Sequence, residues 1–262
     1  MKDSKWTEQD DKLNDAILFA IEKHKGQKRK GTDYPYIVHP LEVLSILTNM
    51  KMDRDVLIAG VLHDVVEDTD TPIEKIRALF GDFVANLVAG HTDDKTLPWK
   101  ERKEKALLDL SNATFEVKCV TMADKLSNLR EIARDYKAMC DEVWNKFTAP
   151  KEEQAWYYAG GIDALDDMMN YDNTRPFYWE LNELYEDVFV TYYYDEDAEA
   201  MWQKDVGDSE STYTIGRSSQ TWTEWEGSIP ESAEEIPRET AQRIEENWAN
   251  EYDRRAVVAE DD

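Results

Sequence analysis

Apolar side chains recur every three or four positions through the first 170 residues, which is the spacing of helices that bury one face. After Thr7, for example, Leu13, Ile17 and Ile21 form such a face, and the pattern predicts a capped helix that ends near Gly26. Further helices are predicted to begin near Pro40, Asp53, Pro72, Pro98 and Ala113. The pattern therefore predicts an all-α helical bundle over residues 1–172.

The segment from Ala113 to Ile132 is predicted to form one long, buried helix. It contains a run of valine, cysteine and valine, which also suits a strand. The helical interpretation is favoured because apolar residues continue at helical spacing on both sides of Asp124.

The pattern changes after about Met169. A last helix in RPFYWELNELYEDVFV is followed by four segments with strand-forming residues, TYYYD, EAMWQKD, STYTIGR and QTWTEWEG. Another helix is predicted from Pro237, before an acidic tail, AVVAEDD, that is expected to fray. Residues 173–262 are therefore predicted to form a small α+β appendage.

Four tryptophans lie in the part of this appendage that follows RPFYWELNELYEDVFV: Trp202, Trp222, Trp225 and Trp248. So many aromatic residues argue against disorder, because disordered segments are poor in them. The tryptophans fit a surface that binds a protein partner or a second copy of the chain, and they fit a packing cap equally well. The sequence does not decide between these roles.

The formal net charge is −26, and residues 171–262 hold 25 acidic but only 7 basic side chains. Such a field repels nucleic-acid phosphate and anionic membranes, so neither polymeric nucleic acid nor a membrane is expected as a partner. No apolar run approaches the length of about 20 residues that crosses a bilayer. The two cysteines form no disulfide framework, and the cytoplasm is the expected compartment.

The strongest chemical signal is the adjacent pair His63 and Asp64, with His39 upstream and Asp124 downstream. Two imidazoles and two carboxylates suit one divalent transition metal that keeps room for water. His39 also fits a histidine that caps the loop before Pro40. Asp124 lies among apolar residues, where it either pairs with a neighbouring cation or binds a ligand.

Glu67 and Asp68 extend this signal. On one continuous helix, His63, Asp64, Glu67 and Asp68 share one face, opposite a face of valines and leucine. Burying so many carboxylates without a cation costs on the order of several kcal/mol of folding free energy. The alternative is the solvated first turn of a helix.

Three motifs, RKGTDYPYIVHP, HDVVED and ADKLSNLR, together resemble those of the HD-domain metal-dependent phosphohydrolases. Among these, the chain is most similar to the guanosine tetraphosphate hydrolase domains of RelA/SpoT homologues and to small alarmone hydrolases. The resemblance covers roughly residues 8–170. It implies an all-α HD-domain bundle with one Mn²⁺ held by His39, His63, Asp64 and Asp124, although another divalent transition metal also suits these ligands.

The resemblance also implies roles for the neighbouring residues. Glu67 is expected to carry out acid–base chemistry with support from Asp68, unless both simply hydrogen-bond the metal's waters. Arg29 and Lys30 are expected to bind the nucleotide, although an ordinary solvated basic loop explains them too. Asn128 is expected to contact the nucleotide rather than solvent. His24 and His91 are interpreted as structural or surface histidines.

The implied function is hydrolysis of the 3′-pyrophosphate of guanosine tetraphosphate or pentaphosphate to GDP or GTP, with no synthetase activity. One alternative keeps the metal site but acts on another nucleotide, since one scaffold serves many substrates. Another alternative is a protein-binding module built on an HD domain.

Overall fold

The computed structural model describes residues 8–91, 97–207, 212–217, 219 and 221–260, so the predicted cap at Thr7 lies outside the described residues. The described chain forms two compact units. One contains the residues up to Ala149 together with Gly160–Leu184, and the other contains Pro150–Ala159 and the residues from Tyr185 onward. The predicted functional boundary after residue 172 stays a prediction.

The first unit is helical, as predicted. Its helices are α1 (Glu8–Lys23), α2 (Val38–Asn49), α3 (Arg54–Leu62), α4 (Val65–Asp68), α5 (Ile73–Phe80), α6 (Asp82–Ala89), α7 (Trp99–Ser111), α8 (Phe115–Met139), the end of α9 (Lys151–Ala164) and most of α10 (Arg175–Phe189). Short 3₁₀ segments cover Cys140–Lys146 and Asp166–Asn170. The predicted long helix around Asp124 is confirmed as α8.

The core of this unit lies between α2, α3, α6 and α8, which pack against one another. Leu47, Leu62 and Leu126 are fully buried there. At Gly60 the two helices α2 and α3 come so close that an added Cβ would lie 2.3 Å from a methyl carbon of Leu47. Any larger residue at this crossing, one turn before His63, would therefore force the buried Leu47 side chain to move.

One continuous helix through His63, Asp64, Glu67 and Asp68 is the wrong description. Helix α3 ends at Leu62 and α4 begins at Val65, with His63 and Asp64 in the turn between them. The interruption is slight, because the backbone of both residues stays in the right-handed helical region. At this point the His63 Nδ1 atom lies 2.7 Å from the carbonyl oxygen of Gly60.

The second unit contains an antiparallel sheet of five strands in the order β4-β3-β2-β1-β5. The strands are β1 (Val190–Asp195), β2 (Ala200–Asp205), β3 (Thr212–Gly216), β4 (Thr223–Trp225) and β5 (Glu234–Ile236). Helix α11 (Arg238–Glu260) follows. The four predicted strand segments and the helix after Pro237 are confirmed, but β5 is an additional strand, and α11 extends through the part of the predicted tail that is described.

Several aromatic side chains of this second unit pack within it. Tyr192, Met201, Ile215, Ala241 and Trp248 form a buried cluster, and Trp222 packs against that cluster. Packing therefore accounts for much of the tryptophan signal, while the predicted protein partner stays a prediction. In the part of the chain that the structure describes, no helix has both the length and the apolar character to cross a membrane.

Candidate metal centre

Three segments of the first unit bring the four predicted metal ligands together. His39 is the second residue of α2, His63 and Asp64 form the turn between α3 and α4, and Asp124 lies in α8. The His39 Nε2 atom lies 3.0 Å from Asp124 Oδ1 and 3.5 Å from Asp64 Oδ2. The His63 Nε2 atom lies 2.9 Å from Asp64 Oδ2 and 3.5 Å from Asp124 Oδ1.

These separations fit a shared metal ion. Donor atoms that bind one ion at about 2.0–2.2 Å lie roughly 3.0–3.5 Å apart at neighbouring positions. The two Nε2 atoms of His39 and His63 are 3.2 Å apart, which also falls in this range. The structure therefore brings two nitrogen and two oxygen donors together in one His/Asp cluster with the chemistry of a divalent-metal site.

Outer hydrogen bonds orient both imidazoles. A carbonyl only accepts, so His63 donates its Nδ1 proton to Gly60. The His39 Nδ1 atom lies 2.9 Å from the hydroxyl oxygen of Ser127, and that hydroxyl donates to Glu42. The hydroxyl can then accept from His39. In this tautomer each histidine turns the lone pair of Nε2 toward the carboxylates, as a metal ligand must.

The two carboxylates are also held from outside. The hydroxyl of Tyr36 donates to Asp64 Oδ2 over 2.6 Å. Burial and the adjacent charge of Asp64 raise the pKa of Tyr36, so its phenol remains a neutral donor. The side-chain amide of Asn128 donates to Asp124 Oδ1 over 2.7 Å. These donors fix the direction in which each carboxylate faces.

Attraction between carboxylates and imidazoles within the cluster stabilises the ionised forms of both. Burial alone would raise the pKa of Asp64 and Asp124, but the imidazoles hold both values well below the usual range. Burial alone would lower the pKa of His39 and His63, but the carboxylates raise both values. In the absence of a metal ion, the imidazoles of His39 and His63 therefore keep their protons to a higher pH than a free histidine does.

His91 is a member of this cluster that the sequence analysis missed. Its side chain is 12% exposed, and its Nε2 atom lies 3.5 Å from Asp124 Oδ2. Its ring centroid lies 5.1 Å from that of His63. From its sequence context His91 is interpreted as a structural or surface histidine without a partner, and the structure gives it Asp124 and His63 as neighbours. A signal was present, because Val84 and Val88 lie on the buried face of α6 and residue 91, just beyond the helix, continues their spacing.

The interpretation of His24 as a structural histidine is confirmed. His24 is 2% exposed, and its Nδ1 atom lies 2.7 Å from the side-chain oxygen of Gln27. Its ring centroid lies 4.8 Å from that of Tyr36. His24 thus packs behind the tyrosine that holds Asp64.

Glu67 and Asp68 lie on α4, three and four residues after Asp64. Glu67 is half-buried and Asp68 is exposed. Among the residues that the structure describes, the groups at metal-ligand spacing are His39, His63 and Asp124, and His63, Asp64 and His91. Glu67 and Asp68 belong to neither group, so their roles stay predictions.

Two of the three predicted nucleotide-binding residues are connected to the cluster. Arg29 donates to Asn128 over 2.8 Å and to Glu131 through two nitrogens, and Asn128 in turn reaches Asp124. Lys30 is exposed, and its ammonium lies 5.8 Å from the ring centroid of Phe147. The sequence analysis did not identify Glu131, which fixes the guanidinium of Arg29.

The raised pKa values predict an unusual pH dependence for the metal-free protein. A histidine whose pKa rises on folding stabilises the fold below its unfolded value of 6.5, and this contribution disappears as pH rises through the folded pKa. Asp64 and Asp124 stay ionised in that window because their pKa values are depressed. With a chelator present, Tm is therefore expected to fall as pH rises above about 6.5.

Differential scanning fluorimetry between pH 6 and pH 9 checks this expectation. A divalent ion should remove the decline because it replaces the protons, and the double variant His39→Asn/His63→Asn should show a shallower slope in chelator. A chelated wild-type Tm that stays level or rises across this range would contradict the assignment.

Comparison with known proteins places the site in a family. A model of the HD domain matches residues 16–153. The guanosine-3′,5′-bis(diphosphate) 3′-pyrophosphohydrolase MESH1 of Danio rerio is 42% identical over 125 residues, which is 47% of this chain and 69% of that protein. The MESH1 protein of Xenopus tropicalis is 47% identical over 123 residues, which is 46% of this chain and 69% of that protein.

A solved structure gives the same result. The structure of a metazoan orthologue of SpoT that hydrolyses ppGpp has a TM-score of 0.55 and 31% sequence identity, and the match covers 67% of this chain and 94% of that one. The resemblance drawn from the three sequence motifs is thereby confirmed. Because the family model alone matches more than half of the chain, this protein belongs to the HD domain family.

Proposed function

We propose that this protein hydrolyses the 3′-pyrophosphate of guanosine tetraphosphate or pentaphosphate, giving GDP or GTP and pyrophosphate. The observation that carries the proposal is the convergence of His39, His63, Asp64 and Asp124 at metal-ligand spacing. Relatives that share 42% and 47% identity are named as enzymes of this activity. The order and spacing of the three motifs support the same reaction.

The donor set supports a divalent ion, and we propose Mn²⁺. Imidazole and carboxylate together suit borderline and hard divalent ions. When bound, such an ion acidifies water and neutralises charge on phosphate oxygens. Tyr36 and Asn128 keep the two carboxylates in place while this occurs, because each donates a hydrogen bond to one of them.

Arg29 supplies positive charge beside the metal ligands. Two acceptors, Glu131 and Asn128, already fix its guanidinium. A guanidinium has five N–H donors, so donors remain for a phosphate oxygen of the substrate. Lys30 is proposed to add a second cation at the outer side of the nucleotide.

Glu67 and Asp68 are proposed to handle the proton of the attacking water. The half-buried Glu67 is proposed as the acid–base residue and the more exposed Asp68 as its support. Their place three and four residues after Asp64 supports this assignment, since α4 starts directly at the cluster.

We further propose hydrolysis without synthesis of the alarmone, in the cytoplasm. The acidic residues 171–262 contain no motif that we associate with nucleotide transfer, and both cysteines are free thiols. Polymeric nucleic acid and membranes are not proposed as partners, given the net charge of −26. A protein partner or self-association through the C-terminal region stays a prediction.

The direct test is pyrophosphate release from guanosine tetraphosphate by the purified protein with Mn²⁺. We expect turnover that a chelator abolishes, and we expect Asp64→Asn to lower kcat/KM by more than about 100-fold, because even outer-shell changes at metal sites cost up to that factor. Asp70→Asn is the matched control, since Asp70 is exposed and pairs with Lys23. Its activity should equal that of the wild type.

Two further assays complete this test: turnover of other nucleotides, and synthesis of the alarmone instead of its hydrolysis. Faster turnover of nucleoside monophosphates than of guanosine tetraphosphate would contradict the substrate assignment. Transfer of pyrophosphate from ATP to GDP or GTP would contradict hydrolysis without synthesis.

The position of Arg29 gives a second prediction. Arg29→Ala should raise KM for guanosine tetraphosphate about 10- to 100-fold, because a hydrogen bond to a charged group is worth about 1.5–3 kcal/mol. The neighbouring variant Lys28→Ala is the control, because Lys28 is exposed and pairs with Asp33. Steady-state kinetics of both variants checks the expectation. Equal KM values for wild type and Arg29→Ala would exclude Arg29 from substrate binding.

A further inference from the structure

We propose that His91 is a fifth protein ligand of the metal centre and binds through Nε2. The centre would then have three imidazoles and two carboxylates, in place of the two imidazoles and two carboxylates that the sequence motifs indicate. This inference rests on the proposed metal-dependent function, but it concerns a residue that none of the three motifs contains.

His91 is arranged in the same way as the other two histidines of the cluster. Its Nδ1 atom lies 3.3 Å from the hydroxyl oxygen of Thr121, and its Nε2 atom faces Asp124 at 3.5 Å. His39 and His63 likewise use Nδ1 for an outer oxygen and turn Nε2 toward Asp124. An outer hydrogen bond of this kind is what fixes the ring of a metal-binding histidine.

The donor atom of His91 also lies at metal-ligand spacing from those of its neighbours. His63, Asp64 and His91 offer ligand atoms that all lie within 4.8 Å of one another, as do His39, His63 and Asp124. Ligands on opposite sides of one ion are separated by about 4.2–4.4 Å at normal bond lengths, so each group is close to the span of a single coordination sphere. The two groups share His63, so His91 lies directly beside the ligands that the motifs indicate.

The two carboxylate oxygens of Asp124 face different histidines. Its Oδ1 atom faces His39 and His63, whereas its Oδ2 atom faces His91. Both oxygens of the carboxylate are therefore directed at imidazole nitrogens. An ion bound by this carboxylate would therefore have His39 and His63 on the side of Oδ1 and His91 on the side of Oδ2.

The fold holds His91 at this position. The residue follows α6, and its backbone N–H donates to the carbonyl of Val88 over 3.1 Å. Helix α6 packs against both α3 and α8. Helix α8 carries Asp124, and α3 ends directly before His63. His91 is thus positioned by the packing of three helices and needs no rearrangement to face the cluster.

A third imidazole has a chemical consequence for the choice of metal. Imidazole favours ions such as Co²⁺ and Zn²⁺ more than carboxylate does, whereas carboxylate and water suit Mn²⁺. His91 should therefore increase the affinity for Co²⁺ relative to Mn²⁺. Replacing His91 should shift the preference back toward Mn²⁺.

The test compares wild type with His91→Asn and His91→Ala. Asparagine can still donate a hydrogen bond to Asp124, so His91→Asn separates metal ligation from simple support of the carboxylate. Pulsed electron paramagnetic resonance of added Mn²⁺ should detect three coupled histidine nitrogens in the wild type and two in each variant. Isothermal titration should show Co²⁺ binding weakened about 10- to 100-fold, with a smaller loss for Mn²⁺.

The Tm of each variant in chelator serves as the folding control, and His91→Asn is the variant to interpret if His91→Ala does not fold. Two coupled nitrogens in the wild type, or unchanged Co²⁺ affinity in His91→Asn, would overturn the inference while leaving the proposed function intact. If the wild type bound neither Mn²⁺ nor Co²⁺, the inference and the proposed function would both fail.

Discussion

The carboxylate of Asp124 lies in the middle of a long helix whose neighbouring side chains are buried, and the site depends on what compensates its charge. Met122, Ala123 and Leu126 around it are fully buried. An ionised carboxylate in such surroundings is costly unless charged or hydrogen-bonding partners surround it. Imidazoles from α2, from the α3–α4 turn and from the end of α6 supply these partners, together with the amide of Asn128.

This constraint connects the packing of the unit to its chemistry. Gly60 allows α2 and α3 to approach closely, and the carbonyl of the same residue orients His63. Ser127 lies in α8 three residues after Asp124 and orients His39. The same helices that form the apolar core therefore also fix the direction of each donor atom. A divalent ion bound here would replace protons at a centre that packing has already arranged.

The residue types and order of His39, His63, Asp64 and Asp124 are distinctive, and the structure brings these four side chains together, as the sequence indicated. The sequence predicted α8 because the apolar spacing continues across Asp124. It did not predict the short interruption after Leu62, because the apolar spacing continues through it and the backbone there stays in the helical region. His91 was missed because it carries no motif, and only the continued face of α6 indicates its direction. Strand β5 has three residues and begins with two glutamates, so its pairing with β1 depends on tertiary structure.

The central claim is that α2, the α3–α4 turn and α8 together hold one divalent metal ion on Asp124. Metal content of the purified protein after incubation with Mn²⁺ and removal of free ions, measured by inductively coupled plasma mass spectrometry, tests this claim most directly. The account predicts one ion per chain in the wild type and loss of that ion in Asp124→Ala, with the fold retained by circular dichroism. A wild type without bound metal, or an Asp124→Ala variant that retains a full equivalent, would contradict it.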